Sequence, residues 1–242
     1  MPKQTTSFSL LLLLWLTHSC GSSLISSKQS AYDLPELGSI IRVDRGLSKS
    51  GNDQISVPKW DGIPVGAQIL PFDKRAYAQY KEASRDMDNS SFEKTTDSLE
   101  FKPSFVELRI KDLVQMVDQL NASQNLSLRE YLQTDQDFKV VTSIKGVLPE
   151  QEALRILEAE AIWIQVGVYG DLVLRAKNSD EFWPIDLSSS LVYDMNYSTF
   201  CWSEDVYGGK IIRNLVPEGA SCPKGTYIKP TKLFEDEEFS EY

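Results

Sequence analysis

Residues 161–174 read AIWIQVGVYGDLVL, and this stretch decides how the rest of the chain is read. Ile162, Ile164, Val166 and Val168 alternate strictly with other residues, the period of a strand with one buried face. Gly170-Asp171 then turns the chain into Leu172-Val173-Leu174, so the stretch predicts a hairpin. Antiparallel pairing is therefore built into the second half of the sequence.

Working outward, Pro149 presets the first turn of a helix that runs through Leu154 and Leu157 to about Ala161. Phe138–Ile144 reads as a strand ended by Gly146. Beyond the hairpin, Leu191–Tyr193, Thr199–Trp202 and Lys210–Arg213 are further strands, with Gly208-Gly209 turning between the last two. Upstream, Ser104 and Glu107 have capping-box spacing. Val106, Ile110, Leu113, Val117 and Leu120 follow at 4-3-4-3 intervals, which predicts one amphipathic helix of about 17 residues. Ser127 and Glu130 repeat the cap pattern before a short helix carrying Leu128, Tyr131 and Leu132.

The expected fold class is α+β: amphipathic helices followed by a mainly antiparallel sheet, with an irregular N-terminal segment. The organisation expected is a signal peptide at 1–21, an irregular charged segment at 22–102, an α+β domain at 103–232 and an acidic disordered tail at 233–242. Within the irregular segment Pro35, Pro58, Pro64 and Pro71 interrupt long elements. Ile40-Ile41 and Ile69-Leu70 there read as edge strands or a strap. Tyr77, Tyr80, Ser84 and Met87 mark one side of a solvated helix.

The first residues carry Lys3 and an apolar run from Phe8 to Leu16, then Ser19, Gly21, Ser22 and Ser23, the form of a secretory signal cut after Gly21. The only histidine, His18, leaves with it. A mature chain without imidazole lacks the commonest general base and histidine-based triads. The charge of −10 becomes −11 when Lys3 is lost, which disfavours nucleic acid and anionic lipid and favours basic proteins or divalent cations. No second apolar run reaches the length of a transmembrane segment.

Cys20 also leaves with the signal, so Cys201 and Cys222 remain as one expected disulfide in an oxidising compartment. Asn89, Asn121, Asn125 and Asn196 each begin an N-glycosylation triplet. Lys74-Arg75 and Arg42-Val43-Asp44-Arg45 are basic signals for cleavage at Arg75 or Arg45, although such pairs arise often by chance.

Chemistry open to a histidine-free protein rests on paired carboxylates. Asp186, Asp194, Glu204 and Asp205 sit among Trp183, Tyr193, Tyr197, Trp202 and Tyr207, the residue types of a sugar-binding cleft. Their plainer explanation is solvated acids beside core aromatics. Ser221 and Lys224 have dyad spacing, but Cys222 and Pro223 between them deny the helix that dyad needs. No cofactor-binding motif is present and no metal site is expected. The tail residues Glu235, Asp236, Glu237, Glu238 and Glu241 serve as a solvating run, or more sharply as a weak calcium or mineral contact. The sequence thus points to a secreted, acidic, N-glycosylated, non-enzymatic component of an extracellular matrix, with matrix components as partners. The alternative is a secreted carbohydrate-binding protein or a carboxylate-dependent glycosidase.

Overall fold

In the computed structural model, residues 35–43, 53–86, 104–188 and 190–233 are described. The hairpin that anchors the sequence reading is present. Strand β6 (Ala161–Val166) pairs with β7 (Leu172–Asn178), Ile164 opposite Leu174, with the turn at Gly170. The chain before them supplies β1 (Ile40–Arg42), β2 (Asp53–Ser56), β3 (Ile63–Pro71), α1 (Lys74–Asp86), β4 (Ser104–Ile110), α2 (Leu113–Asn121), α3 (Leu126–Leu132), β5 (Phe138–Val147) and α4 (Glu150–Glu158). After β7 come β8 (Glu181–Ile185), β9 (Leu191–Glu204) and β10 (Lys210–Pro217). The main sheet runs β10-β9-β5-β4-β3-β6-β7-β8, with every pair antiparallel. The class is α+β, and these residues lie in one unit spanning 32–242.

Strand β5 is the hub. One flank pairs with β9 from Lys139 to Val147. The other is shared end to end by β1, on Phe138–Val140, and β4, on Ser143–Gly146. Strand β9 outruns β5, and there an isolated bridge from Tyr227 to Trp202 covers its flank. Ile41, Ile63, Leu108, Val140, Ile164, Ala176 and Ile212 are fully or almost fully buried in one core that joins both ends of the strand order. The sheet therefore curls until β6–β8 face β5 and β9. A second, smaller core lies on the other face, where α1 lays Ala76, Tyr80 and Ala83 over Phe72, Phe105, Leu191 and Tyr193.

Several expectations need correction. The single helix over Val106–Leu120 is two elements. Val106, Leu108 and Ile110 alternate into the main core as β4, and only from Leu113 does the chain turn helical. The cap is Asp112, whose carboxylate accepts from the Gln115 N–H at 2.8 Å. Glu107 is not in a capping box but inside the sheet. Val106 and Ile110 fell into helical register with Leu113 and Val117 by coincidence of spacing. The short helix around Leu128 is present, but no side chain caps it.

The helices do not precede the sheet either. Strands β1–β3 and α1 lie in the segment expected to be irregular, and β3 is interior, between β4 and β6. Pro64 and Pro71 sit at positions where their missing N–H is tolerated, near the ends of β3. On α1 the buried side is Ala76, Tyr80 and Ala83 rather than Tyr77 and Ser84, and Met87 lies outside the described residues. Gly146 does not end β5. A side chain there would press on the Leu191 carbonyl at 3.2 Å, so glycine admits β9 at close range. Leu191–Tyr193 and Thr199–Trp202 are parts of one strand.

One turn locks the N-terminal strap. Gly38 has φ +89°, donates to the Val141 carbonyl at 2.9 Å and accepts from the Trp60 indole N–H at 2.9 Å. A Cβ there meets the Ile164 side chain as well as left-handed backbone strain. Gly38→Ala is expected to cost roughly 1–2 kcal/mol in chemical denaturation.

Candidate functional site

The cysteine pair is closed. Cys201, fully buried in β9, is bonded to Cys222 with a Cα separation of 5.6 Å. The bridge, the Tyr227 contact and the buried Leu233 hold the chain after β10 against β9.

The four candidate carboxylates do not converge. Asp194 is ion-paired to Lys145 at 2.8 Å in the first half of β9. Glu204 ends the same strand ten residues on, about 30 Å away at roughly 3.3 Å per residue. Asp205 folds into the β9–β10 turn, accepting from the N–H groups of Tyr207 and Gly209 at 2.8 Å each. Asp186 follows β8 and is exposed. Glu204 and Asp205 are neighbours in sequence, but one closes a strand and the other its turn. Of the four, only Asp186 lines any of the cavities described among these residues.

The sequons divide. Asn196 is exposed on β9. Asn121 clamps the open edge of β10, donating from Nδ2 to the Ile212 carbonyl at 2.7 Å and accepting from its N–H at 3.0 Å. This covers an edge position left unpaired beside the bulge at Ile212/Asn214. Asn125 is 3% exposed. Its Nδ2 donates to the carbonyls of Gln119 and Lys59 at 2.9 and 3.3 Å, and its Oδ1 accepts from the Lys59 N–H at 2.8 Å. A sugar on that nitrogen replaces one of these bonds and has no space. Asn125→Ala is expected to cost roughly 1–2 kcal/mol, measured by urea unfolding, because buried backbone groups lose their partners. Asn89, Arg45 and the acidic tail residues Glu235, Asp236, Glu237, Glu238 and Glu241 lie outside the described residues, as does the signal region. Arg75 lies in the first turn of α1.

Two features were not visible in the sequence. The first is a polar row across four strands. Gln68 of β3 stands opposite Glu107 of β4, Glu107 opposite Lys145 of β5, and Lys145 opposite Asp194 of β9. Glu107 is 2% exposed and accepts from Gln68, Arg109 and Ser143 at 2.7, 2.8 and 2.9 Å. Burial pushes its carboxyl up, but those three hydrogen bonds and the Arg109 charge outweigh it and hold the pKa below the usual range. Tyr193 beside this row has a buried hydroxyl with no hydrogen-bond partner among the described residues. Burial first, then Asp194, Asp73 and Glu107, push that phenol's pKa up. An acid between Val106 and Leu108 was the one available signal for this row.

The second feature is a cavity of about 380 Å³ inside the curl of the sheet. Ile144, Ile164, Leu174 and Ile185 form its walls, and Leu172, Leu187 and Val192 stand half-buried around them. Exposed Glu36 and Asp186 carry its charge. The Ser188 N–H donates to Asp186 at 2.8 Å and, with the Ser188 hydroxyl, holds that carboxyl below the usual range. Five consecutive strands, β5 to β9, build these walls; only the β6–β7 pairing of Ile164 with Leu174 was announced by a local pattern. Among the described residues no three metal-ligating side chains gather, and no helix is long and apolar enough to cross a membrane. Comparison with protein-family models, with curated proteins and with solved structures found no match to this chain.

Proposed function

We propose that this is a secreted, acidic, N-glycosylated protein that works by binding rather than catalysis, as a component of the extracellular space. The Cys201–Cys222 bridge carries the reading, because such a bond persists in oxidising compartments and is rare in the cytosol. The N-terminal signal pattern and the exposed Asn196 support it. The separation of Asp186, Asp194, Glu204 and Asp205 favours binding over glycoside hydrolysis. Glycans are assigned to Asn196 and Asn89, with Asn121 retained as an acceptor and Asn125 kept for structure. Contact with calcium or basic matrix proteins falls to the acidic tail.

Expression of the full chain in secretory cells tests the reading. The expected product appears in the medium, begins at Ser22, and gives Asn196 but not Asn125 as a glycopeptide. Retention in the cytosol with residues 1–21 intact and both thiols free overturns it.

A further inference from the structure

The cavity inside the curled sheet names a ligand class for the proposed binding role, and the inference rests on that role. Its walls are built from Ile144, Ile164, Leu174 and Ile185, which are between 1% and 8% exposed. A volume of about 380 Å³, at roughly 30 Å³ per small molecular unit, admits about a dozen heavy atoms. Such walls do not repay the desolvation of a sugar or an inorganic ion, whose polar groups need partners on every side. They suit an apolar body.

The entrance has a sign. Glu36 and Asp186 both border the cavity, and among the described residues no basic side chain lines it. Neither carboxylate is ion-paired among the described residues. Glu36 receives a 3.3 Å hydrogen bond from the Gln54 carboxamide, and Asp186 receives the Ser188 N–H. Each ionised carboxylate has two oxygens and about four acceptor sites, so both retain capacity for a further donor. The chain's charge of −10 adds long-range attraction for a cation. A fatty acid of the same length meets repulsion at the same place.

We propose that the cavity binds a small protonated amine, its ammonium group held by Glu36 and Asp186 and its aliphatic or aryl body, about ten heavy atoms, seated against Ile144, Ile164, Leu174 and Ile185. The ammonium supplies three donors, matching two acceptor-only carboxylates, while the body replaces water in the apolar space.

Calorimetric titration of the secreted full-length protein with octylamine, octanol and octanoate tests this. Octylamine is expected to bind at least tenfold more tightly than octanoate and more tightly than octanol. The double variant Glu36→Gln, Asp186→Asn is expected to bring octylamine to the level of octanol. Leu172→Trp, at a half-buried wall position, is expected to abolish binding of octylamine. A photoreactive alkylamine on the wild-type protein checks the location without any variant, and is expected to label peptides containing Leu172 or Leu187. Equal or tighter binding of octanoate or octanol overturns the amine assignment while leaving a binding role intact. Labelling confined to other surfaces, or no heat with any of the three probes, overturns the cavity site. A cytosolic protein with free thiols overturns the secreted role independently of these titrations.

Discussion

Cys222→Ser is expected to lower the unfolding free energy by about 3 kcal/mol. The bridge closes a loop with a sequence separation of 21, and the loop-entropy model assigns about that amount to a ring of this size. Cys222 is only half-buried, so a serine hydroxyl there finds water. Cys201 is fully buried, so Cys201→Ser adds an unpaired hydroxyl in the core and is expected to cost roughly 1 kcal/mol more. For a chain of this size the first change corresponds to a melting shift of roughly 10 °C. The comparison is internally controlled: wild-type protein unfolded in reductant should match Cys222→Ser. Equal melting temperatures with and without reductant would show that the bridge contributes nothing.

Glu107 gives the second large effect, and it depends on pH. Its carboxylate is the shared acceptor for Gln68, Arg109 and Ser143. Glu107→Ala is expected to cost roughly 2–3 kcal/mol at neutral pH, because the buried Ser143 hydroxyl loses its acceptor and a packed side chain disappears. Glu107→Gln should be milder, about 1 kcal/mol, since Gln68 can rotate its carboxamide and present oxygen instead of nitrogen. The folded pKa is depressed below that of an ordinary glutamate, so the carboxylate's contribution is fully present above the ordinary glutamate pKa and is lost as pH falls through the folded value. Wild-type stability should therefore drop through that acidic window, while Glu107→Gln shows a shallower decline. Identical slopes in urea unfolding across pH 3 to 6 would remove Glu107 from the acid sensitivity of the fold.

Legibility in the sequence followed how local the determining physics was. The β6–β7 hairpin was readable because alternation and a Gly-Asp turn act within a few residues. The same holds for the start of α4, where Pro149 stands just before Glu150, whereas the helix ends at Glu158 rather than near Ala161, which opens β6. Cys201 and Cys222 were readable by counting. Strand β4 was hidden although Val106, Leu108 and Ile110 alternate with Glu107 and Arg109, because the 4-3-4-3 spacing from Val106 to Leu120 runs unbroken across the boundary between β4 and α2 and imitates a helix. Strand β3 was hidden by its prolines, which sit near its ends. Of the candidate carboxylates only Asp186 borders the cavity. Ile164 and Leu174 meet there through the readable hairpin, but Glu36, Ile144 and Val192 arrive by the β1–β5 and β5–β9 pairings of long sequence separation, which a single sequence does not display.

The bridge between β9 and the segment after β10 also sets how this protein would record damage. Residues 217–221 form an exposed connection just ahead of Cys222. A protease that cuts there severs the backbone but releases nothing. The piece from Cys222 onward stays attached through sulfur, docked by Tyr227 along Trp202 and by Leu233 in the core. A clipped molecule would migrate as intact on a gel without reductant and separate into two bands only when reduced. Wear in this protein would thus accumulate silently, visible to redox conditions before it is visible to size.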